Sequence, residues 1–123
     1  MADAEETDKS ETIRTAYDEF NARDIDRVLN LLSPDVEWPN GWEGGVVYGR
    51  AAVRDYWTRQ WAGIDPRVEP ISLDWLAPDI VRVLVHQVVR TRDGNLLSET
   101  NKVHTYTFAG ELIQKMEISE PSE

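Results

Sequence analysis

The chain has no cysteine among its 123 residues. That absence removes disulfides, thiol nucleophiles, thiolate zinc sites and Cys-ligated iron–sulfur clusters. Histidine is nearly as scarce. His86 and His104 are the only two, and they form no H-x-H or H-E-x-x-H pattern, so no metal is expected. Gly44-Gly45 and Gly49 fit neither a dinucleotide nor a phosphate-loop fingerprint, and no cofactor is expected. Basic residues are few, 13 against 23 acidic ones, for a net charge of -10. Phosphate backbones are bound by clustered Lys and Arg, and anionic bilayers repel acidic chains. Neither nucleic acid nor membrane is therefore an expected partner. No apolar run nears the ~18 residues that span a bilayer. The opening MADAEETDKSE is acidic where targeting peptides are basic, so a cytoplasmic location is the expectation.

What is present fits one domain, since domains run to roughly 100–150 residues. The acidity is concentrated at the ends: residues 1–11 carry a net -4 and residues 117–123 a net -3. Residues 1–10 and 120–123 read as short acidic tails around a domain over 11–119. All five tryptophans (Trp38, Trp42, Trp57, Trp61 and Trp75) fall in one stretch.

Ile13, Ala16, Tyr17 and Phe20 recur at helical spacing and predict a helix over 11–22. Asp24 can cap a second helix carrying Ile25, Val28, Leu29 and Leu32 on one face, stopped by Ser33-Pro34-Asp35. Val36–Trp38 and Val46–Tyr48 read as short strands around the loop Gly41-Trp42-Glu43-Gly44-Gly45. A third helix is predicted over 50–62, with Val53, Tyr56, Trp57, Gln60 and Trp61 in phase. Four β segments follow: 68–75, 80–91, 96–108 and 112–118. Asp93-Gly94 supplies a hairpin signal between the middle two. The order ααββαββββ argues for an α+β fold with a curved, mostly antiparallel sheet.

The helix pair ending in ARDIDRVLNLLSPDVEW, the turn-into-helix VVYGRAAVRDYW and the closing hairpin HTYTFAGELIQKMEI occur together in this order. The chain thereby resembles the NTF2-like superfamily, in its SnoaL-like, ketosteroid-isomerase-like and polyketide-cyclase-like branch. The resemblance covers about residues 11–118. It implies a cystatin-like cone: a curved sheet wrapped around three helices, enclosing an apolar pocket, often paired as a homodimer through the open sheet face. This fold hosts isomerases, cyclases, dehydratases, hydrolases and non-enzymatic binding proteins. The ketosteroid isomerase pattern is not matched. Trp38 falls where that family places its carboxylate base, Ala16 where it places a helix tyrosine, and His104 where it places a protonated aspartate. Tyr17 lies one residue off, about 100° around the helix.

His104 is the catalytic candidate, a proton-transfer group suited to neutral pH. It shares a strand face with Tyr106 and Phe108, and with Thr100 and Lys102 if no bulge shifts the phase. The alternative for His104 is a hydrogen-bonded structural role. Lys102 suits anion binding or Schiff-base chemistry, or a plain surface position. Trp38, Trp42, Tyr48, Trp57 and Trp61 are candidate pocket aromatics for a ring-bearing ligand, with core packing as the alternative. Trp42, in the glycine-rich loop, is the candidate lid residue. Glu37 and Glu43 are possible carboxylate bases near that loop. Tyr17 and Phe20 are read as packing under the sheet. His86, flanked by Arg82 and Arg90, points to a solvent or dimer face. The reading that follows is a pocket for a small apolar or aromatic metabolite, serving cofactor-free acid/base catalysis. The rival is a non-catalytic binding or dimeric interaction domain of the same fold.

Overall fold

The computed structural model describes residues 4–41 and 44–121. Three helices and six strands alternate as α1 (Ala4–Asn21), α2 (Ile25–Leu29), β1 (Leu32–Pro39), β2 (Val46–Tyr48), α3 (Arg50–Gly63), β3 (Ile64–Ala77), β4 (Ile80–Thr91), β5 (Leu96–Ala109) and β6 (Leu112–Ser119). The expected order of elements is present in full.

α1 buries Ile13, Ala16 and Tyr17 on one stripe. It starts earlier than periodicity suggests, so residues 4–10 are helical in place of a tail. Two contacts tie these early turns down: the Lys9 ammonium donates to Pro78 O at 3.1 Å, and the Trp75 indole N–H donates to Ser10 Oγ at 3.1 Å. α2 is capped by the Asp24 carboxylate, which accepts from Arg27 N. It ends at Leu29, and Leu32 opens β1 instead of closing the helix. Pro34 disfavours helix in the residue before it, and pairing with β6 takes over: Ile113 N donates to Leu31 O at 2.9 Å.

Gly49 links β2 to α3 at φ 88°, a region costly for a side chain, and its N–H bonds Val36 O at 2.7 Å. Gly94 takes φ 96° in the predicted Asp93-Gly94 hairpin.

The sheet order is β2-β1-β6-β5-β4-β3, antiparallel throughout except for the parallel β1–β6 pair. β3 spans 14 residues, well beyond the predicted segment, and includes Pro66 and Pro70. Proline is tolerated there because β3 is an edge strand, bonded on one side only. Register shifts leave an extra residue at Ile71 and Leu76 of β3, at Leu97 of β5 and at Gln114 of β6. Bulges of this kind bend a strand, and the six strands form a curved, unclosed sheet. Its concave face packs on the helices through Val81, Val83 and Val85, all fully buried. The β5 bulge lies near its hairpin end, so Ser98 to Phe108 keep strict alternation.

Candidate functional site

A cavity of about 360 Å³ lies between the concave sheet face and the helices. That volume falls in the usual range for small-molecule sites, roughly 300–1,000 Å³. α1 contributes Ala16, Tyr17 and Phe20 to its wall, and α3 contributes Tyr56, Trp57 and Gln60. β1 adds Trp38 and Pro39, β3 adds Ile64, Pro66 and Val68, and β4 adds Gln87 and Val89. β5 supplies Ser98, Lys102, His104 and Tyr106, and β6 supplies Met116 and Ile118. Among the described lining residues, Lys102 is the one charged side chain and none is a carboxylate.

Alternation along β5 places His104 and Tyr106 on the concave face. α1 approaches from the other side and delivers Tyr17. The result is a buried hydrogen-bonded chain. The Tyr106 hydroxyl donates to Tyr17 Oη at 2.8 Å, and Tyr17 Oη lies 2.8 Å from His104 Nδ1. The Tyr17 and His104 rings stack at 5.9 Å, and Tyr106 meets Tyr17 edge-on at 6.1 Å. His104 Nε2 is buried and has no hydrogen-bond partner.

Hydrogen-bond arithmetic fixes the imidazole tautomer. Tyr17 already accepts from Tyr106, so its own proton goes to Nδ1, and the ring hydrogen resides on Nε2. The opposite tautomer strands one of the two tyrosine O–H groups as well as Nε2, whichever way the Tyr17–Tyr106 bond runs. A buried unsatisfied polar group costs about 1–3 kcal/mol, so the arrangement with one orphan wins. All three groups are neutral at physiological pH. Burial pushes the His104 pKa down to about 4. Burial, followed by the neighbouring Tyr106, raises that of Tyr17 well above the usual phenol value. Burial likewise raises Tyr106, partly offset by its bond to Tyr17. The imidazole therefore does not titrate near neutral pH, and it carries an uncharged, unpartnered N–H in a low-dielectric wall, where a bond to developing negative charge is strong.

An aromatic wall flanks this chain. Trp38 meets Trp57 edge-on at 5.3 Å and Tyr106 at 6.2 Å, and Phe20 meets Trp57 at 5.5 Å. Trp61 stacks on Trp57 at 5.8 Å, but it is not a lining residue. Phe20 and the Arg23 guanidinium cover its ring, at 5.2 and 5.0 Å. A residue one turn beyond Trp57 has passed the cavity and reached the rim of the core.

Two comparisons identify the surroundings of this site. A family model described as SnoaL-like domain matches residues 13–116. The chain belongs to the SnoaL-like family. No curated protein matches it. Among solved structures, TerC co-crystallised with polyporic acid is 26% identical, with a TM-score of 0.81 over 93% of this chain and 92% of that one. RV0760c from Mycobacterium tuberculosis, in complex with estradiol-17beta-hemisuccinate, is 20% identical, with a TM-score of 0.79 over 93% and 94%. SalBIII, an epoxide hydrolase/cyclase-like enzyme with a role in pyran ring formation in the polyether salinomycin, is 19% identical, with a TM-score of 0.78 over 92% and 90%. The latter two likenesses establish the shared NTF2-like fold.

Of the residues expected at a pocket, this SnoaL-like chain brings together Trp38, Trp57, Lys102, His104 and Tyr106. Tyr48 departs from that expectation: it sits on the edge strand β2, is 64% exposed and does not line the cavity. Trp61 departs as described above. Trp42 and Glu43 lie outside the described residues. Trp38 rather than Glu37 faces inward, and Glu37 does not line the cavity. Tyr17 was missed as a site residue. It does pack under the sheet, yet its hydroxyl is the link between Tyr106 and His104. The available signal was a tyrosine on a buried helix stripe, because a buried phenol needs a partner; the partner itself was not readable. His86 is on the outer face, bonded to Asn101 Oδ1 at 2.9 Å and Glu99 Oε2 at 2.8 Å, and these bonds raise its pKa. Among the described residues, no group of three or more His, Asp or Glu is placed to hold a metal ion, and no helix is long and apolar enough to cross a membrane.

Proposed function

We propose that this SnoaL-like protein encloses a small ring-bearing metabolite and carries out cofactor-free isomerisation, cyclisation, dehydration or hydrolysis on it, with His104 as the hydrogen-bond donor that stabilises developing negative charge. The observation that carries this reading is the Tyr106–Tyr17–His104 chain in the cavity wall, ending in an unpartnered Nε2. The aromatic wall suits flat rings. The neutral Nε2–H donates to an acceptor oxygen of the substrate, polarising a carbonyl, hydroxyl or epoxide as charge develops on it. Tyr17 holds the tautomer that makes Nε2 the donor, and Tyr106 holds Tyr17. Ligand-bearing neighbours of the same fold, with polyporic acid and an estradiol ester, support a small-molecule occupant.

The test begins with a thermal-shift panel of ring ketones, phenols, quinones and epoxides, since a ligand that binds the native state raises the melting temperature. Hits are then assayed for turnover with the wild type and with His104→Leu, which has no donor. The expected result is binding by both proteins and a loss of turnover of about 10²–10³-fold in the variant, typical for removal of one such donor. Unchanged turnover in His104→Leu removes the catalytic role. Binding with no turnover of any hit favours the non-catalytic reading.

We also propose that two copies pair through the outer sheet face. Leu84 and Val88 lie there beside His86, in the opposite phase to the buried Val83 and Val85. Light scattering should give twice the chain mass of 14.1 kDa; a monomer mass at all concentrations refutes the pairing.

A further inference from the structure

The cavity has polar groups at two levels of β5. His104 forms the first, and Lys102, with Ser98 further along the strand, forms the second. His104 and Lys102 are two residues apart on the same face, which puts their Cα atoms about 7 Å apart along the strand. Among the described lining residues the Lys102 ammonium is the single cationic group, and none is acidic. Its counter-charge comes from outside the cavity: Glu120, which follows β6 and whose side chain is 75% exposed, forms an ion pair with it. The Lys102 side chain itself is only 27% exposed. Gln87, diagonally across the β4–β5 ladder from Lys102, adds an amide to the same level of the wall.

We infer that the occupant carries an anionic group, a carboxylate or an acidic enol, which binds Lys102 by displacing Glu120 while the ring system lies along β5 toward His104. The inference rests on the proposed binding of a ring-bearing metabolite in this cavity and names its charge class. Glu120 is a replaceable partner, because an exposed carboxylate gains little from one ion pair. A ligand anion drawn into the apolar wall beside Lys102 gains a charge-assisted bond in a drier setting. No described lining residue is a carboxylate, so the negative charge it must displace is the exposed Glu120.

The experiment uses matched pairs of aromatic carboxylic acids and their primary amides, with one, two and three fused rings, titrated by calorimetry into the wild type, Lys102→Met and Glu120→Gln. The wild type is expected to bind at least one acid tenfold or more tightly than its amide, a preference that weakens as salt is raised. Lys102→Met should bring the acid down to the amide while leaving amide affinity within about twofold. Glu120→Gln should strengthen acid binding and leave the amide unchanged, because the competing carboxylate is gone. Equal binding of acid and amide by the wild type overturns the inference and leaves the pocket reading intact, as does an acid preference that survives in Lys102→Met. If no member of any pair binds and the thermal-shift panel also has no hits, the pocket reading itself fails and the charge assignment goes with it.

Discussion

Replacing Tyr17 with phenylalanine removes one oxygen atom from the middle of a buried chain. Two hydrogen bonds of 2.8 Å are lost together. The Tyr106 O–H is left without an acceptor, and His104 Nδ1 without a donor. Two net hydrogen bonds at about 1 kcal/mol each, with an orphaned buried donor added, give a loss of roughly 3 kcal/mol. For a chain of this length that is a fall of about 10 °C in Tm. Tyr106→Phe is a different perturbation, although it too removes one hydroxyl. Tyr17 can still donate to Nδ1, so one bond is lost, no donor is stranded, and the cost is about 1 kcal/mol. The double variant has no stranded Tyr106 donor, so its cost should fall short of the summed single costs by about 1 kcal/mol or more. Urea unfolding followed by tryptophan fluorescence measures all three. Long-range nitrogen–proton spectra of the His104 ring should report hydrogen on Nε2 in the wild type and a loss of tautomer preference in Tyr17→Phe. Equal costs for the two single variants, or strict additivity in the double, would refute the direction of donation and with it the role assigned to Nε2.

Two further outcomes follow from the same packing. His104 stays neutral in the folded protein down to about pH 4, whereas the unfolded chain takes up a proton near pH 6.5. The unfolded state binds more protons between those values, so stability is full above pH 6.5 and declines as pH falls toward 4. By pH 5 the loss from this group is about 2 kcal/mol; the urea midpoint of the wild type should fall relative to that of His104→Gln over this window, and parallel curves would show that His104 is not desolvated. Trp57 is 1% exposed and touches Trp38, Phe20 and Trp61. Trp57→Ala should cost about 3–5 kcal/mol in chemical denaturation, and a cost below 1 kcal/mol would mean that the aromatic wall is not packed as described.

Much of the fold was legible because its signals are local. Period two along β4 and β5 sorted Val81, Val83 and Val85 from Arg82, Leu84 and His86, and put His104, Tyr106 and Phe108 on one face. Bulges could have exchanged these sets, but the β5 bulge falls at Leu97 and leaves the site in phase. Element limits were less legible where tertiary pairing overrode local preference. Leu32 fits a helix face, yet it joins β1 because β6 offers it a parallel partner. Pro66 and Pro70 hide the true length of β3, because whether a strand is an edge is a property of the finished sheet.

By itself the sequence determined the order of elements, the SnoaL-like likeness, the missing thiol chemistry, and His104 as the residue to watch. Each of these depends on composition or on spacing within a few residues. Tertiary structure alone decided what His104 can do. Tyr17 and His104 are 87 positions apart, and Tyr106 is 89 from Tyr17. Only the curl of the sheet over α1 joins them, and their burial keeps His104 neutral down to about pH 4. The same curl left Tyr48 on an exposed edge and passed Trp61 to the rim, although both look in sequence like Trp38 and Trp57. A side chain's type is written in the chain, but its desolvation and its hydrogen-bond partner belong to the packed state.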